Sequence, residues 1–267
     1  MRIYITADIE GTCGFTAEEE GKVGGYLYDY FRRQMSREVA SACKGALEAG
    51  ADSVLVHDSH DCSRNIMPEL LPEKVELMRQ ADGSPYAMLS GIQKGGFDAV
   101  FMTGFHSGAG SNTNPVSHTF NHDTVKLKIN GVRLTEFMYN CYTAASLGIP
   151  VPFVCGDKAL CEFAKSFVPN ITTVATVEGI GAGTISPHPD VVLKDIEVGV
   201  KKALSGDWQK CKVTLPKKFN LTIQFKRHQD AFYNSFYPGA VLLDETTLQF
   251  TAEVWFEVLR AIHYILK

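Results

Sequence analysis

The stretch A-D-I-E-G-T-C-G at residues 7–14 ends an apolar opening run, M-R-I-Y-I-T-A, with two carboxylates one residue apart. Side chains of a strand alternate between faces, so Asp8 and Glu10 share a face and Ile9 opposes them. Two like charges held side by side are unfavourable unless a cation, a shared proton or open water relieves them. Capping the next helix is the alternative use of either carboxylate. Further reactive side chains follow later apolar runs. These are H-D-S-H-D at 57–61, G-F-H-S-G-A-G at 104–110 with His106 in a glycine-rich turn, and S-N-T-N-P-V-S-H-T-F-N-H-D at 111–123 with His118 and His122. Glu136 opens a helical stretch, where it could also complement a helix dipole. Singly, each has an ordinary use as a loop hydrogen-bonding group. Together they form a set of carboxylates and imidazoles without thiolates, which suits zinc, manganese or iron rather than a structural cysteine site. Three carboxylates and two imidazoles exceed one four-coordinate zinc. They suit two metals roughly 3.5–4 Å apart, bridged by a carboxylate and a water.

The elements that must position these groups follow from hydrophobic patterning. Short, β-branched, nearly continuous apolar runs at 2–7, 52–57, 98–104, 151–155 and 171–177 predict strands buried on both faces. Helices are predicted at about 26–49, with Gly50 as C-terminal cap, at 134–147 and at 157–167. Such alternation predicts an α/β fold, a three-layer mostly parallel sheet with helices on both faces. Its ligands would bind outside the carboxyl ends of the strands, where the reactive side chains lie. D-T-V-K-L-K-I-N-G-V-R-L breaks the rhythm, because its alternation around Asn130-Gly131 predicts a hairpin. From about 189 the pattern changes to a helix at 189–205, strands near 219–225 and 247–251, and a final helix at 252–266. This predicts a catalytic α/β domain over 1–188 and a smaller C-terminal α+β unit over 189–267.

Composition narrows the partners. The chain has 267 residues, 45% of them hydrophobic, with 26 Lys and Arg against 30 Asp and Glu, a net charge of -4. Neither this balance nor any basic run predicts binding to nucleic acid or a membrane surface. No apolar segment approaches the roughly 20 residues that span a bilayer. The chain enters a strand at once, without the regions of a leader peptide. Its seven scattered cysteines have no disulfide or zinc-ribbon spacing, and Cys155 reads as a buried thiol. The expectation is a reduced, cytoplasmic protein.

In five ordered elements the chain resembles the zinc-dependent D-aminopeptidases of the DppA type, once called dipeptide transport proteins. The elements are D-I-E-G near the start, D-S-H after the second strand, G-F-H-S-G-A-G after the third, S-H-T a dozen residues on, and the glutamate of L-T-E-F. A later V-E-G-I-G segment and the chain length agree. The resemblance implies two Zn2+ ions per subunit, with Mn2+ or another divalent metal as substitute. Asp8 would bridge them, Glu10 and His60 would complete one site, and His106 and Glu136 the other. His118 matches the family histidine that acts at the scissile carbonyl as nucleophile or acid/base. The resemblance also implies short peptide substrates with a free amino terminus, of the D-Ala type, and a ring-built homo-oligomer, a decamer.

Asp58 and Asn65 lie near enough in sequence to support the ligands or to serve structure alone, and the same two uses are open to His57. His188 and His228 read as surface residues and His263 as packed or partly exposed. Phe232, Tyr233, Phe236 and Tyr237 would pave an interface or pack in a core. Two other functions compete with the di-zinc aminopeptidase. A metal-dependent phosphoesterase is disfavoured by the lack of a phosphate loop and of a dense arginine cluster near the ligands. A non-catalytic peptide-binding protein is disfavoured by the presence of all five candidate ligands together with His118.

Overall fold

The computed structural model describes residues 1–266. In chain order the elements are β1 (Arg2–Ala7), α1 (Tyr28–Glu48), β2 (Ser53–Asp58), β3 (Val75–Arg79), β4 (Ala99–Phe105), β5 (Thr124–Ile129), β6 (Val132–Arg133) and α2 (Glu136–Ser146). There follow β7 (Phe153–Asp157), α3 (Lys158–Phe167), β8 (Thr172–Ile180), β9 (Gly183–Ile185), α4 (Pro189–Ser205), β10 (Phe219–Phe225), α5 (His228–Asn234), β11 (Ala240–Leu242), β12 (Thr247–Ala252) and α6 (Trp255–Ile265).

Seven strands form one sheet in the order β3-β2-β1-β4-β7-β8-β9, parallel except for the terminal β8–β9 pair. The alternation along β1 shows the three layers. Ile3 and Ile5 pack with Phe31, Met35 and Val39 of α1 and Ile196 and Val200 of α4. Tyr4 turns to the other face, which α2 and α3 cover with Phe137, Cys141, Leu160 and Ala164. The expected three-layer α/β architecture is thus the observed one.

A second, antiparallel sheet has the order β11-β12-β10-β5-β6. Leu127, Ile129, Leu221 and Ile223 pack against Trp255, Val258 and Leu259 of α6 and against Met138 and Tyr142 of α2. Helix α2 therefore lies between the two sheets and serves both cores. The hairpin at 124–133 belongs to this second sheet, whereas α4 packs on the first. The change of pattern near 189 therefore does not coincide with the division between the sheets.

The elements not anticipated are β3, β9, α5 and β11. β3 reads V-E-L-M-R at a sheet edge, where only part of each side chain is covered, so the pattern carries little hydrophobic signal. All seven cysteines are free thiols and Cys155 is fully buried. No helix among the described residues is long and apolar enough to cross a membrane.

Candidate metal centre

In the larger sheet the chain order reverses between β1 and β4, which opens a crevice at their carboxyl ends. Asp8 and Glu10 leave β1 there, His60 follows β2 and His106 follows β4, while Glu136 is the first residue of α2. The two central strand ends are stitched together beyond the sheet. Asp8 N donates to Thr103 O and Gly11 N to Gly104 O, both at 2.8 Å. Gly104 sits at φ 70°, and a Cβ there would run into the Asp8 carbonyl. The approach of the two ligand-bearing segments therefore requires glycine.

The five side chains converge. His60 Nδ1 lies 3.2 Å from Asp8 Oδ1 and 3.1 Å from Glu10 Oε2. His106 Nε2 lies 3.6 Å from Asp8 Oδ2 and 3.5 Å from Glu136 Oε2. Three groups of donors lie close enough to hold an ion: Asp8 with Glu10 and His60, Asp8 with His106 and Glu136, and Glu10 with His106 and His118; the first two share Asp8. Asp8 offers one oxygen to each of these two. Donors about 2.0–2.1 Å from a tetrahedral zinc stand roughly 3.3 Å apart, which is the spacing of these pairs.

The imidazoles are set for coordination from behind. A carbonyl only accepts, so each ring nitrogen facing one carries the hydrogen. His60 Nε2 donates to Gly21 O, His106 Nδ1 to Ser107 O and His118 Nδ1 to Val116 O, at 3.0, 3.0 and 2.9 Å. The opposite nitrogens are thereby turned towards the carboxylates, the orientation that metal-ligating histidines require. His106 Nε2 and Glu10 Oε2 are buried with no hydrogen-bond partner. Buried polar atoms are rarely left so, and a cation would satisfy both. The residues therefore fit a bound metal.

The electrostatics express the same demand. Burial and the neighbouring Glu10 charge push the Asp8 carboxyl well above its ordinary range. Burial disfavours charge on His60 and His106 too, yet both are held well above the usual imidazole value, His60 chiefly by Glu10 and His106 chiefly by Glu136. Against the same burial, His60 holds Glu10 low and His106 holds Glu136 low. The cluster calls for positive charge.

Neighbouring groups fix the ligands. Asp58 accepts from Asn65 N, Asn65 Nδ2 and Ile66 N at 2.5–2.9 Å, and Asn65 Nδ2 also donates to His60 O. Both residues thus hold the turn that carries His60. Behind His106, Asp157 accepts from Ser107 N, Ser107 Oγ and Asn114 Nδ2. Phe120 N donates to Glu136 Oε1 at 2.6 Å. His118 stacks on His106 with ring centroids 4.4 Å apart, and its Nε2 is 3.9 Å from both Glu10 Oε1 and Glu136 Oε1.

A cavity of about 220 Å³ opens over the cluster. Its wall brings in Glu18, Lys22 and Met88, which spacing had not singled out, together with Asp61 of H-D-S-H-D and His122. His122 stacks on His118 at 4.4 Å and lies 3.2 Å from Glu18 Oε1. Glu18 carries no motif and reaches the mouth only through the fold of the loop before α1. His57 stays outside the cluster, buried, with Nδ1 on Met88 O. His188 caps α4 at the surface, His228 is exposed at the start of α5, and His263 is half-buried on α6. Phe232, Tyr233 and Phe236 are exposed, so they do not pack in a core.

A mostly parallel sheet with a carboxylate–imidazole cluster at its switch point defines a metallohydrolase-like α/β protein. The D-aminopeptidase family model Peptidase_M55 matches residues 1–264, and the chain belongs to that family. It is thus an aminopeptidase-type hydrolase. It is 27% identical over 264 residues to a D-aminopeptidase of Bacillus subtilis (strain 168), covering 98% of this chain and 95% of that one. Its structure resembles that of the Zn-dependent D-aminopeptidase DppA from Bacillus subtilis, described as a self-compartmentalizing protease. The TM-score is 0.91 at 26% identity, over 100% of this chain and 97% of the other.

Proposed function

We propose that this chain is a di-zinc D-aminopeptidase. Asp8 would bridge the ions, Glu10 and His60 would hold one, and His106 and Glu136 the other. The observation that carries this reading is the pair of donor groups sharing Asp8, with His118 Nε2 beside them. Zinc held there would supply an acidified water and a Lewis acid for the scissile carbonyl.

The residues of the chain do the rest. His118, fixed in tautomer by Val116 O, presents Nε2 to the space between Glu10 and Glu136, where it takes a proton from the attacking group and returns it to the leaving amine. Asp61 adds negative charge to the rim, where Glu18 is paired with Lys22, and this favours a substrate with a free ammonium. A cavity of about 220 Å³ lies below the usual range for drug-sized ligands and suits short peptides. The D-configuration is supported by the names of the relatives. Assembly as a ring-built homo-oligomer, a decamer, is supported by the self-compartmentalizing description of the similar protease and by the exposed aromatics around α5. Seven free thiols favour a reducing compartment such as the cytoplasm.

The deciding experiment is amino-acid release from D-Ala-D-Ala and L-Ala-L-Ala by zinc-loaded and chelator-stripped protein. The proposal predicts release from the D-dipeptide alone, lost on stripping and restored by zinc. Release from the L-dipeptide would remove the stereochemistry, and silence on both would remove the substrate class.

A further inference from the structure

The β5–β6 hairpin carries a charge conflict of the opposite sign, away from the carboxylate cluster. Lys128 and Arg133 are direct cross-strand partners, and like charges so placed destabilise an antiparallel pair. Neither forms an ion pair with a carboxylate among the described residues. Leu127 and Ile129 turn into the core, so Lys128 stands on the opposite face of the strand. There both cations line a cavity of about 410 Å³.

Leu160 and Phe163 of α3 form an apolar wall of this cavity, and Ser107 and Thr113 a polar one. Arg133 Nη2 donates to Gly110 O at 2.9 Å, which fixes the guanidinium at the rim and leaves other N–H groups to face a ligand. Asp157, behind Ser107, is no counter-ion for the hairpin. Its oxygens already accept from Ser107 N, Ser107 Oγ, Asn114 Nδ2 and Leu160 N. An ammonium and a planar guanidinium side by side, without a partner acid and beside an apolar wall, match an anionic head on a small apolar body.

We propose that this cavity is an anion-binding site. Lys128 and Arg133 hold the carboxylate or phosphate head of a small molecule, whose apolar body lies against Leu160 and Phe163. Ser107 and Thr135 line the same cavity and adjoin His106 and Glu136 in the chain. An occupant therefore lies beside the chain neighbours of two of the candidate metal ligands.

The test is isothermal titration of zinc-loaded wild type and the Lys128→Gln/Arg133→Gln double variant with N-acetyl-leucine, N-acetyl-leucinamide and inorganic phosphate at low salt. Both proteins keep the same candidate metal centre, so a difference between them reports on the cavity. Wild type should bind at least one of the two anions tenfold or more tighter than the double variant does, and should not bind the uncharged amide. Binding of N-acetyl-leucine alone assigns a carboxylate on an apolar body, and binding of phosphate alone assigns a phosphate head. Lys128→Glu turns the like-charge pair into a cross-strand ion pair, so it keeps the hairpin folded and should abolish anion binding. Equal anion affinity in wild type and either variant, or no anion binding to wild type, overturns the site.

Discussion

The imidazole of His118 lies against that of His106, ring centroids 4.4 Å apart and planes 17° from parallel. His106 belongs to an Asp8-sharing donor group, whereas His118 is grouped only with Glu10 and His106 and points its Nε2 between two carboxylates. This division of labour predicts that His118→Ala keeps its bound zinc but loses turnover. General acid–base catalysis typically contributes about 10²–10⁴-fold, and kcat should fall by that order. Metal analysis of the purified variant beside its kcat checks this. Loss of zinc together with activity would make His118 a ligand.

Glu10→Ala and His106→Ala each remove a donor from one of the two groups sharing Asp8. Both variants should remain folded, bind less than the wild-type complement of zinc and show no detectable hydrolysis. Full activity at unchanged zinc content would dispose of the ligand assignment.

Removing zinc from the wild-type protein should lower its unfolding midpoint. A ligand held by the folded state alone stabilises it by RT ln(1 + [L]/Kd), and three buried carboxylates would be left to repel one another. Thermal unfolding with chelator, and again after zinc is restored in excess, measures the shift. An unchanged midpoint would mean that the cluster does not bind zinc.

Glu38, buried on α1, accepts from Cys13 N and Gln34 Nε2 through Oε1, while its Oε2 has no partner. Burial pushes its carboxyl up to about 7 from an ordinary 4.5. Between these values the folded state holds a proton that the unfolded chain has released, so stability falls as pH rises from about 4.5 to about 7. Above that window the charged form is destabilising by about 3 kcal/mol. Glu38→Gln should therefore be more stable than wild type at pH 8 and about equal to it below pH 4.5. Urea unfolding of both proteins across this range checks the difference.

Gly104 combines φ 70° with a Cβ direction that meets the Asp8 carbonyl. Gly104→Ala should lose about 2 kcal/mol or more, because left-handed strain alone amounts to roughly 1–3 kcal/mol. It should also bind zinc less well, since relieving the clash moves β1 and β4 apart where they carry Asp8 and His106. Denaturant unfolding and zinc stoichiometry together test this.

Much of this protein was legible in its residues because the relevant signals are local. Buried parallel strands need continuous β-branched runs, and β1, β2, β4 and β7 have them. A carboxylate pair one residue apart after such a run must share a face, which marked Asp8 and Glu10 before any fold was known. Asn130-Gly131 specified its hairpin by turn chemistry alone. Edge strands such as β3 and β11 escaped because half-exposed segments need no hydrophobic pattern.

What only the tertiary structure decided depends on contacts between residues distant in the chain. The sequence placed His60, His106 and Glu136 at the ends of separate elements. The parallel register and the reversal at β1 and β4 set His60 within 4 Å of Asp8 and Glu10, and His106 within 4 Å of Asp8 and Glu136. Glu18 and Lys22 reach the cavity mouth by loop packing that no motif encodes. The joining of the 124–133 hairpin to a sheet formed mostly after residue 218 comes from long-range pairing with β10, since local turn chemistry makes a hairpin without choosing its partner strand. Residue types determined which chemistry was available, and packing decided which of those groups meet.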